Sequence, residues 1–477
     1  MPAPLLTPRG MLIALAAALL LAWPMLATGA YLTFADTESY IRGGEIIGRM
    51  IVDMLNLDSL WSRGGGVADP TGAAGAAPEG REMRNEKGQP YVVRSFIYSL
   101  YTLVTGASIW PAGFAILQSA MTLWMLFALI GPDAASRPRV LAMGFLVVAA
   151  FTSLPWFTVY LMPDLMAAAV LIYAAILVRR FDDLVLWQRL ALGAIAAFAV
   201  AAHYGHGPLA AGIIGIALLW RLIARRLTLA VVVAGVLTVL FSPLANLSAS
   251  SVALDTPSMA PLRLPILLAR SIQDGPARWY LQEACPEAPL AFCEAFGDNV
   301  PTNIPQFLWD ENGIDSLSPE LMSRIRAEEF HVLALAFRTY PVEQTVSLFR
   351  NAALQTVKIG LGQISLSTRR DDGTWASAAT PRAEAVMASF DRIVPYVTWA
   401  AAGGLLLLLI MGRLTRPELE ILAILTLGYL LNALIFGGLS APVDRYQSRI
   451  AWLFPAFAVI VLARLRLRRH NPALAPG

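Results

Sequence analysis

Residues 11–34 read "MLIALAAALLLAWPMLATGAYLTF" and are followed directly by "ADTESYIR" at 35–42. The first stretch is uncharged and long enough to cross the hydrocarbon core of a bilayer, which takes about 20 apolar residues. A signal peptide has a shorter apolar core and a small-residue cleavage site behind it, so we interpret this stretch as a retained first transmembrane helix. The first two carboxylates of the chain, Asp36 and Glu38, then lie where the hydrocarbon ends.

The composition of the whole chain agrees with a membrane location. Its 477 residues are 57% hydrophobic and 14% charged, whereas about 25% of the residues of a soluble protein are charged. This excludes an ordinary soluble domain and indicates a polytopic membrane protein. We expect membrane lipids and no nucleic acid as partners. Lys87 and Lys358 are the only lysines, so nearly all positive charge is arginine.

Apolar segments of spanning length predict an all-α polytopic protein with about ten transmembrane helices. The predicted spans are 11–34, 109–131, 140–160, 163–178, 187–204, 208–223, 227–245, 394–411, 419–437 and 450–464. They form a module of seven spans at 1–245 and a module of three spans at 394–477 with a basic tail.

The arginines predict the orientation of these spans. Arginines that share one predicted side are Arg9, Arg137, Arg139, Arg179, Arg180, Arg189, Arg221, Arg225, Arg226, Arg413, Arg416 and those of the tail "RLRLRRH". The short turns around 155–163 and 204–208 carry none. The positive-inside rule places the arginine-rich side and both termini in the cytoplasm. We expect a bacterial inner (cytoplasmic) membrane protein whose outer side faces the periplasm, a location that the cysteine pair described below would also fit.

A further apolar stretch, "RSFIYSLYTLVTG" at 94–106, has only 13 residues. As a span it would invert every later loop and put the arginine clusters outside. We predict an interfacial or re-entrant helix on the outer side instead. It closes a large first outer loop, 35–108, in which 38–57 has the pattern of an amphipathic helix in the interface plane. The Gly/Ala/Pro-rich segment 63–80 between them predicts a mobile loop.

The longest connection, 246–393, predicts a mainly helical periplasmic domain. Ser318, Pro319 and Glu320 form a good helix start, and we expect Pro341 to end that helix before another follows. Cys285 and Cys293 lie eight positions apart here. A thiol pair on the oxidising side predicts a disulfide-closed loop, although two free cysteines are the alternative and a metal pair is a weaker one.

Polar residues gather at the predicted outer ends of spans, where ionisable groups are expensive and mark functional sites. They are Asp36, Glu38, Arg94, Asp164, His203, His206, Asp444, Arg445 and Arg449. Each has a simpler interpretation. Asp36 and Asp164 fit as helix caps, the histidines as polar end groups, and the late arginines as contacts of lipid headgroups. Their common level on one side favours a site.

These motifs together resemble the GT-C superfamily of multi-span glycosyltransferases, which take sugars from polyprenyl-phosphate carriers. The resemblance lies in "FADTESY" after the first span, the amphipathic segments of the first outer loop, "RSFIYSLY", "MPD" at the fourth span and "DRYQSRIAW" before the last. It covers the membrane part but not 246–393. The usual "DE" or "DD" doublet of the family is replaced by "DTE" at 36–38.

The resemblance implies an inverting transfer to an acceptor hydroxyl with Asp36 as the base, and a glycan, lipid or protein as acceptor. Glu38 or Asp164 would orient the acceptor, and Asp36 and Asp164 would hold an optional divalent cation, Mg²⁺ or Mn²⁺. The residues that would bind the carrier phosphate or the sugar are Arg94, Arg445, Arg449, Tyr446, His203 and His206.

Three other functions remain open at this point. A flippase or transporter would carry polar residues at the middle of its spans and repeated halves, and neither is evident. A ligase that transfers a preassembled glycan would use the same residues. A scaffold would need none of the charges on the outer face.

Overall fold

The computed structural model describes residues 8–54, 94–107, 110–135, 138–254, 264–285, 287–370 and 375–470. In these parts the chain is mostly helical, which agrees with an all-α membrane protein, and it has one small sheet. The predicted mobile loop, 63–80, lies outside the described residues.

Six of the described helices are long and apolar enough to cross a membrane. They are Pro111–Ile130, His206–Ile223, Leu229–Ser251, Pro381–Ile410, Arg416–Gly438 and Asp444–Leu465. The other predicted spans correspond to shorter helices, Pro8–Leu21, Pro138–Phe151, Leu165–Arg179 and Leu186–Ala201. The fold class is thus confirmed at the level of a helical membrane protein, and ten spans remain a prediction.

The first predicted span, 11–34, is not one continuous helix. A helix from Pro8 to Leu21 is followed by a short one, Trp23–Thr28, whose second residue is Pro24. Gly29 ends it with a φ of 64°, a left-handed conformation that glycine adopts without steric cost. The chain then becomes extended, so the prediction of a helix up to residue 34 is wrong.

The helix Leu165–Arg179 is the centre of the bundle, because every side chain from 165 to 178 is buried. It packs against the helices Pro111–Ala135, Leu186–Ala201, His206–Ile223 and Arg416–Asn432. Alanines at many of its positions let these helices approach closely, as small residues do in membrane bundles. The central helix fixes the position of Asp164, the residue that precedes it.

A three-stranded antiparallel sheet joins distant parts of the chain. β1, Tyr31–Thr33, pairs with β2, Ser365–Arg369, which pairs with β3, Trp375–Ser377. On its other side Leu32 accepts a hydrogen bond from the backbone N–H of Leu161, at 2.9 Å. This contact brings the segment after β1 beside the start of the central helix.

The first loop provides two packed helices, Thr37–Met54 and Phe96–Val104. Ser95 caps the second by accepting a hydrogen bond from the backbone N–H of Tyr98, at 3.3 Å. The rings of Tyr40 and Tyr98 meet edge to face, with centroids 4.9 Å apart. Helices occur where both amphipathic segments were predicted.

We call residues 264–370 the inserted domain. Its helices are Ile266–Asp274, Pro276–Ala284, Ala291–Phe296, Ile304–Leu308, Pro319–Thr339 and Pro341–Val357, with a 3₁₀ turn at Ile314–Ser316. The first five of these helices and the 3₁₀ turn enclose a separate apolar core that includes Leu268, Phe292 and Phe307. The predicted disulfide between Cys285 and Cys293 is present.

The helix boundaries of the inserted domain follow the predicted signals. Ser318 accepts a hydrogen bond from the backbone N–H of Leu321, at 3.3 Å, and the next helix begins at Pro341. The helices Leu229–Leu254 and Pro381–Ile410 run across the predicted domain limits at 246 and 393. Each of these helices therefore extends into the connection 246–393.

The last part of the chain contains Arg416–Asn432, a π-helical segment Ala433–Gly438, and the helices Asp444–Ala451 and Leu453–His470. The π-segment packs against Pro341–Val357 of the inserted domain. The helix Asp444–Ala451 packs against the central helix, which brings the late arginines toward Asp164.

Candidate functional site

A buried ion pair lies at the start of the central helix. Oδ1 of Asp164 is 3.3 Å from Nη1 of Arg449, and the two side chains are 3% and 1% exposed. Asp164 makes no side-chain hydrogen bond to its own helix, so its interpretation as a cap is wrong. Nη2 of Arg449 also donates to Oδ1 of Asn432, at 3.0 Å.

A second ion pair joins Asp36 to Arg94. Asp36 lies between β1 and the helix that begins at Thr37, and Arg94 lies one residue before the cap of the next helix. About a fifth of each side chain is exposed, so this pair is more accessible than the first. The hydroxyl of Tyr204 donates to the backbone carbonyl of Arg94, at 3.3 Å.

Arg445 is buried between aromatic rings. Its guanidinium carbon lies 3.8 Å from the ring centre of Phe34 and 5.0 Å from that of Tyr446, distances at which a cation is attracted to a ring face. Its side chain is 6% exposed. Among the described residues no carboxylate lies within ion-pair distance of it, and its Nε and Nη1 have no hydrogen-bond partner.

Phe436, in the π-segment, packs against Arg449 and against both histidines. The guanidinium carbon of Arg449 lies 3.9 Å from its ring centre, and the rings of His203 and His206 lie 5.9 and 6.2 Å from it. Tyr446 packs on the same ring at 5.1 Å. One phenyl ring therefore contacts four of the predicted site residues.

Backbone hydrogen bonds fix the role of Nδ1 in each histidine. Nδ1 of His206 contacts the carbonyl of Ala199 at 2.8 Å, and because a carbonyl only accepts, this nitrogen carries the proton. Nε2 of a neutral His206 is then a buried acceptor, and it has no partner among the described residues. In the turn 202–205, Nδ1 of His203 accepts from the backbone N–H of Gly205, at 3.0 Å.

The electrostatics indicate that these groups share one region. The rings of His203 and His206 lie 5.2 Å apart, and Arg449, Arg94 and Arg445 are close enough to act on His203.

Tyr40 lies near both ion pairs. Burial raises its pKa, and Arg94, Asp36 and Asp164 are all close enough to act on it. The phenol therefore stays neutral at pH 7.

The three arginines of the site exceed its two carboxylates by one positive charge. Among the described residues, the buried Nε of Arg94, of Arg445 and of Arg449 has no hydrogen-bond acceptor. A buried donor that lacks an acceptor costs free energy. An anion with several oxygens, such as a phosphate, would accept hydrogen bonds from donors of this kind and neutralise the excess charge.

Glu38 does not join this group. Its side chain is exposed, and the charged group that it influences is Glu45 on the same helix. Asp444 lies beside Gly362, where its carboxylate faces the inserted domain. These two carboxylates mark the edge of the site.

The predicted divalent cation does not fit the residues as they are arranged. Asp36 and Asp164 each face an arginine. Throughout the part of the chain that the structure describes, no three His, Cys, Asp or Glu side chains lie together as metal ligands. The cation remains a prediction from the resemblance.

Sequence reasoning missed the aromatic and amide members of the site. Arg445 packs on the ring of Phe34 and Arg449 on that of Phe436. Asn432 accepts a hydrogen bond from Arg449. Asn432 could have been found, since an amide inside the apolar run "LGYLLNALIF" is unusual. The phenylalanines carry no such signal.

No protein-family model, curated protein or solved structure matches the chain. Membership of the GT-C superfamily is therefore not shown, and the resemblance contributes only to the proposal that follows.

Proposed function

We propose that the chain is an integral-membrane glycosyltransferase of GT-C type. It would move a sugar from a polyprenyl-phosphate carrier to an acceptor hydroxyl, with inversion, at the periplasmic face of a bacterial inner membrane. Both termini would be cytoplasmic.

The observation that carries this proposal is the state of Arg445. A permanently charged guanidinium is buried at the start of a candidate span, without a carboxylate partner among the described residues and with two unsatisfied nitrogens. Leaving such a donor unpaired is expensive, whereas a bound phosphate would pair it with short, charge-assisted hydrogen bonds. Its position at the end of the bundle suits a phosphate whose tail lies in lipid.

The reaction makes one bond at the anomeric carbon and breaks another. The acceptor oxygen attacks this carbon, its proton passes to Asp36, and the bond to the phosphate oxygen breaks with its electron pair on the phosphate. Phosphate leaves without a proton, so the leaving group needs positive charge rather than an acid. Arg445 and Arg94 would supply that charge.

The ion pair of Asp36 with Arg94 gives a reason for ordered binding. Arg94 pairs with the carboxylate in the structure, so an acceptor hydroxyl would have to compete with this arginine for the oxygen atoms of Asp36. When the carrier phosphate takes over Arg94, Asp36 would be released to accept the proton of the acceptor. Catalytic competence would then depend on the donor being bound.

Asp164 and Arg449 would mainly position other residues of the site. Both are almost completely buried, and Arg449 is clamped by Asn432 and Phe436. This pair would hold the helix of Arg445 against the central helix. Tyr446, His203 and His206 would line the sugar subsite.

A direct test measures binding of polyprenyl phosphate to the purified protein in nanodiscs. Arg445→Gln should weaken binding about tenfold or more, since a hydrogen bond to a charged group contributes about 1.5–3 kcal/mol. The exposed Arg413, at the opposite end of the bundle, provides the matched control Arg413→Gln, which should bind like the wild type. Equal binding by the two variants would contradict the proposal.

A second test separates the possible functions. Asp36→Asn should retain carrier binding and, in the source strain, abolish the transferred sugar on the envelope glycans. Unchanged glycans at normal protein levels would favour a scaffold. Loss of carrier translocation in vesicles would favour a flippase, and transfer of a whole glycan, seen by mass spectrometry, would favour a ligase.

A further inference from the structure

The helix Pro341–Val357 of the inserted domain has an inverted polarity. Its buried side chains are polar, namely Ser347, Asn351 and Gln355. Its apolar side chains point outward: Val342, Val346, Phe349 and Val357 are 66, 58, 60 and 61% exposed. A helix on the surface of a water-soluble domain has the opposite arrangement.

Two of the three inward polar side chains, Asn351 and Gln355, form hydrogen bonds within the protein. Nδ2 of Asn351 donates to Asp274 at 2.8 Å. Gln355 makes two bonds of 2.9 Å with the backbone of Val443, one in each direction. These contacts fix the rotation of the helix, so the outward direction of the apolar stripe is built into the fold.

The helix lies beside the end of a candidate span. It packs along the π-segment Ala433–Gly438, which closes the candidate span Arg416–Gly438. Gly437 and Gly438 permit a close approach, because a Cβ at these positions would lie 2.3 Å from Cβ of Gln355 and 2.7 Å from Cδ1 of Leu348. The helix is thus held against the end of this candidate span.

We propose that the apolar stripe of Pro341–Val357, formed by Val342, Val346, Phe349 and Val357, contacts membrane lipid. The neighbouring span itself exposes Leu427 and Leu430, so lipid already covers part of the adjoining structure. The stripe spans four turns of one helix and is bordered by the exposed Glu343 and Arg350. Nη2 of Arg350 lies 3.8 Å from Oδ1 of Asp274, and charged side chains at the edge of an apolar surface can keep their heads in water. The inserted domain is therefore seated in the membrane by this helix, next to the helix that carries Arg445.

Spin labels can identify what contacts the stripe, and the experiment needs no substrate. Val346→Cys and Phe349→Cys test the stripe, Leu430→Cys marks a lipid-facing position and the exposed Ser323→Cys marks water. The two native cysteines are joined in the disulfide, so the introduced thiol is labelled selectively. Oxygen, which concentrates in lipid, and a water-soluble nickel chelate are compared as relaxation agents in nanodiscs.

We expect labels at 346 and 349 to respond to oxygen and to be protected from the nickel chelate, as at 430. A strong response to the chelate, as at 323, would overturn the proposal in favour of a water-facing helix. Protection from both agents would overturn it in favour of a protein partner. Two stripe positions and the elution volume of each labelled variant guard against a local folding defect. Failure here would leave carrier binding by Arg445 untouched, because the two readouts are independent.

Discussion

At the scale of single residues, the pair of Asp164 and Arg449 shows how much a buried charge depends on its partner. Removing one member of a buried ion pair leaves the other uncompensated, which costs about 3–5 kcal/mol. Asn432 satisfies only part of Arg449. The pair is therefore a strong determinant of stability as well as part of the site.

We predict that Asp164→Asn will lower the free energy of unfolding by about 3 kcal/mol, measured as a fall in the Tm of the purified protein. The control is Asp183→Asn, which breaks the partly exposed pair of Asp183 with Arg180, whose side chains are 56 and 22% exposed. Exposed pairs contribute about 0–1 kcal/mol. Equal losses would mean that Arg449 finds another partner.

Glu45 permits a prediction of pH dependence. Burial raises its pKa above the usual value, although Arg369, with Nη2 3.7 Å from its Oε1, acts in the opposite direction. The folded state then binds this proton more tightly than the unfolded state. The stabilisation that the protonated Glu45 contributes is fully present below the pKa of a glutamate in the unfolded state, about 4.3. It is lost as the pH rises through the pKa of Glu45 in the folded state.

Glu45→Gln, which cannot lose a proton, should therefore raise the Tm at pH 7–8, and this gain should disappear toward pH 4. The exposed Glu38 on the same helix provides the control, since Glu38→Gln should change the Tm little at either pH. A lower Tm of Glu45→Gln at pH 8 would show that the contact with Arg369 outweighs burial.

The charged residues of the site could be predicted from the sequence, but the aromatic residues that pack against them could not. Asp36, Arg94, Asp164 and the late arginines stand out because ionisable groups at the ends of spans are rare. Phe34 and Phe436 look like any other apolar residue of a span. Their role depends on which helices meet, and that is decided by packing across the whole chain.

At the scale of elements, the contact between the π-segment and the inserted domain depends on small residues. The Cβ that Gly437 lacks would lie 2.3 Å from Cβ of Gln355 and 3.0 Å from the carbonyl oxygen of Asn351. Neither atom is the free end of a flexible side chain. Close contact here requires glycine.

We predict that Gly437→Ala will destabilise the protein by about 1–3 kcal/mol, as overpacking does. Gly404→Ala is the matched control, since a Cβ at this helical position meets nothing within 4 Å and alanine favours helix by about 1 kcal/mol. The Tm of each variant measures the effect. Equal behaviour would indicate that the helix Pro341–Val357 moves aside at little cost.

Helices were predictable and the sheet was not. Periodic apolar residues and the cap at Ser318 mark the helices because their signals are local. β1 has three residues, too few for an alternating pattern, and its partner lies more than 300 positions along the chain. The break at Ala22 was hidden for a related reason, since Pro24 is tolerated in the first turn of the short helix that follows.

At the scale of the whole molecule, several arginines of the arginine-rich end pair with carboxylates. Arg221 pairs with Asp182, and Arg464 pairs with Glu418. Glu420 lies between Arg226 and Arg416. Arg445, at the other end of the bundle, has no such carboxylate partner among the described residues.

The predicted orientation leads to a direct measurement. Alkaline phosphatase, which is active only outside the cytoplasm, should be active when inserted after residue 370, and a fluorescent protein fused to the C-terminus should fluoresce. An inactive insertion with a fluorescent fusion would place the inserted domain in the cytoplasm and would contradict the periplasmic site. A second phosphatase fusion, after Arg413, should be inactive and serves as the control.

The small sheet has a consequence for any attempt to divide the protein. Deleting residues 264–370 would remove β2 and leave β1 with an open hydrogen-bonding edge immediately ahead of Asp36, and open edges recruit other chains. Such a truncated protein would tend to self-associate through that strand. Engineering of the membrane half alone should therefore retain a short donated strand equivalent to 365–369.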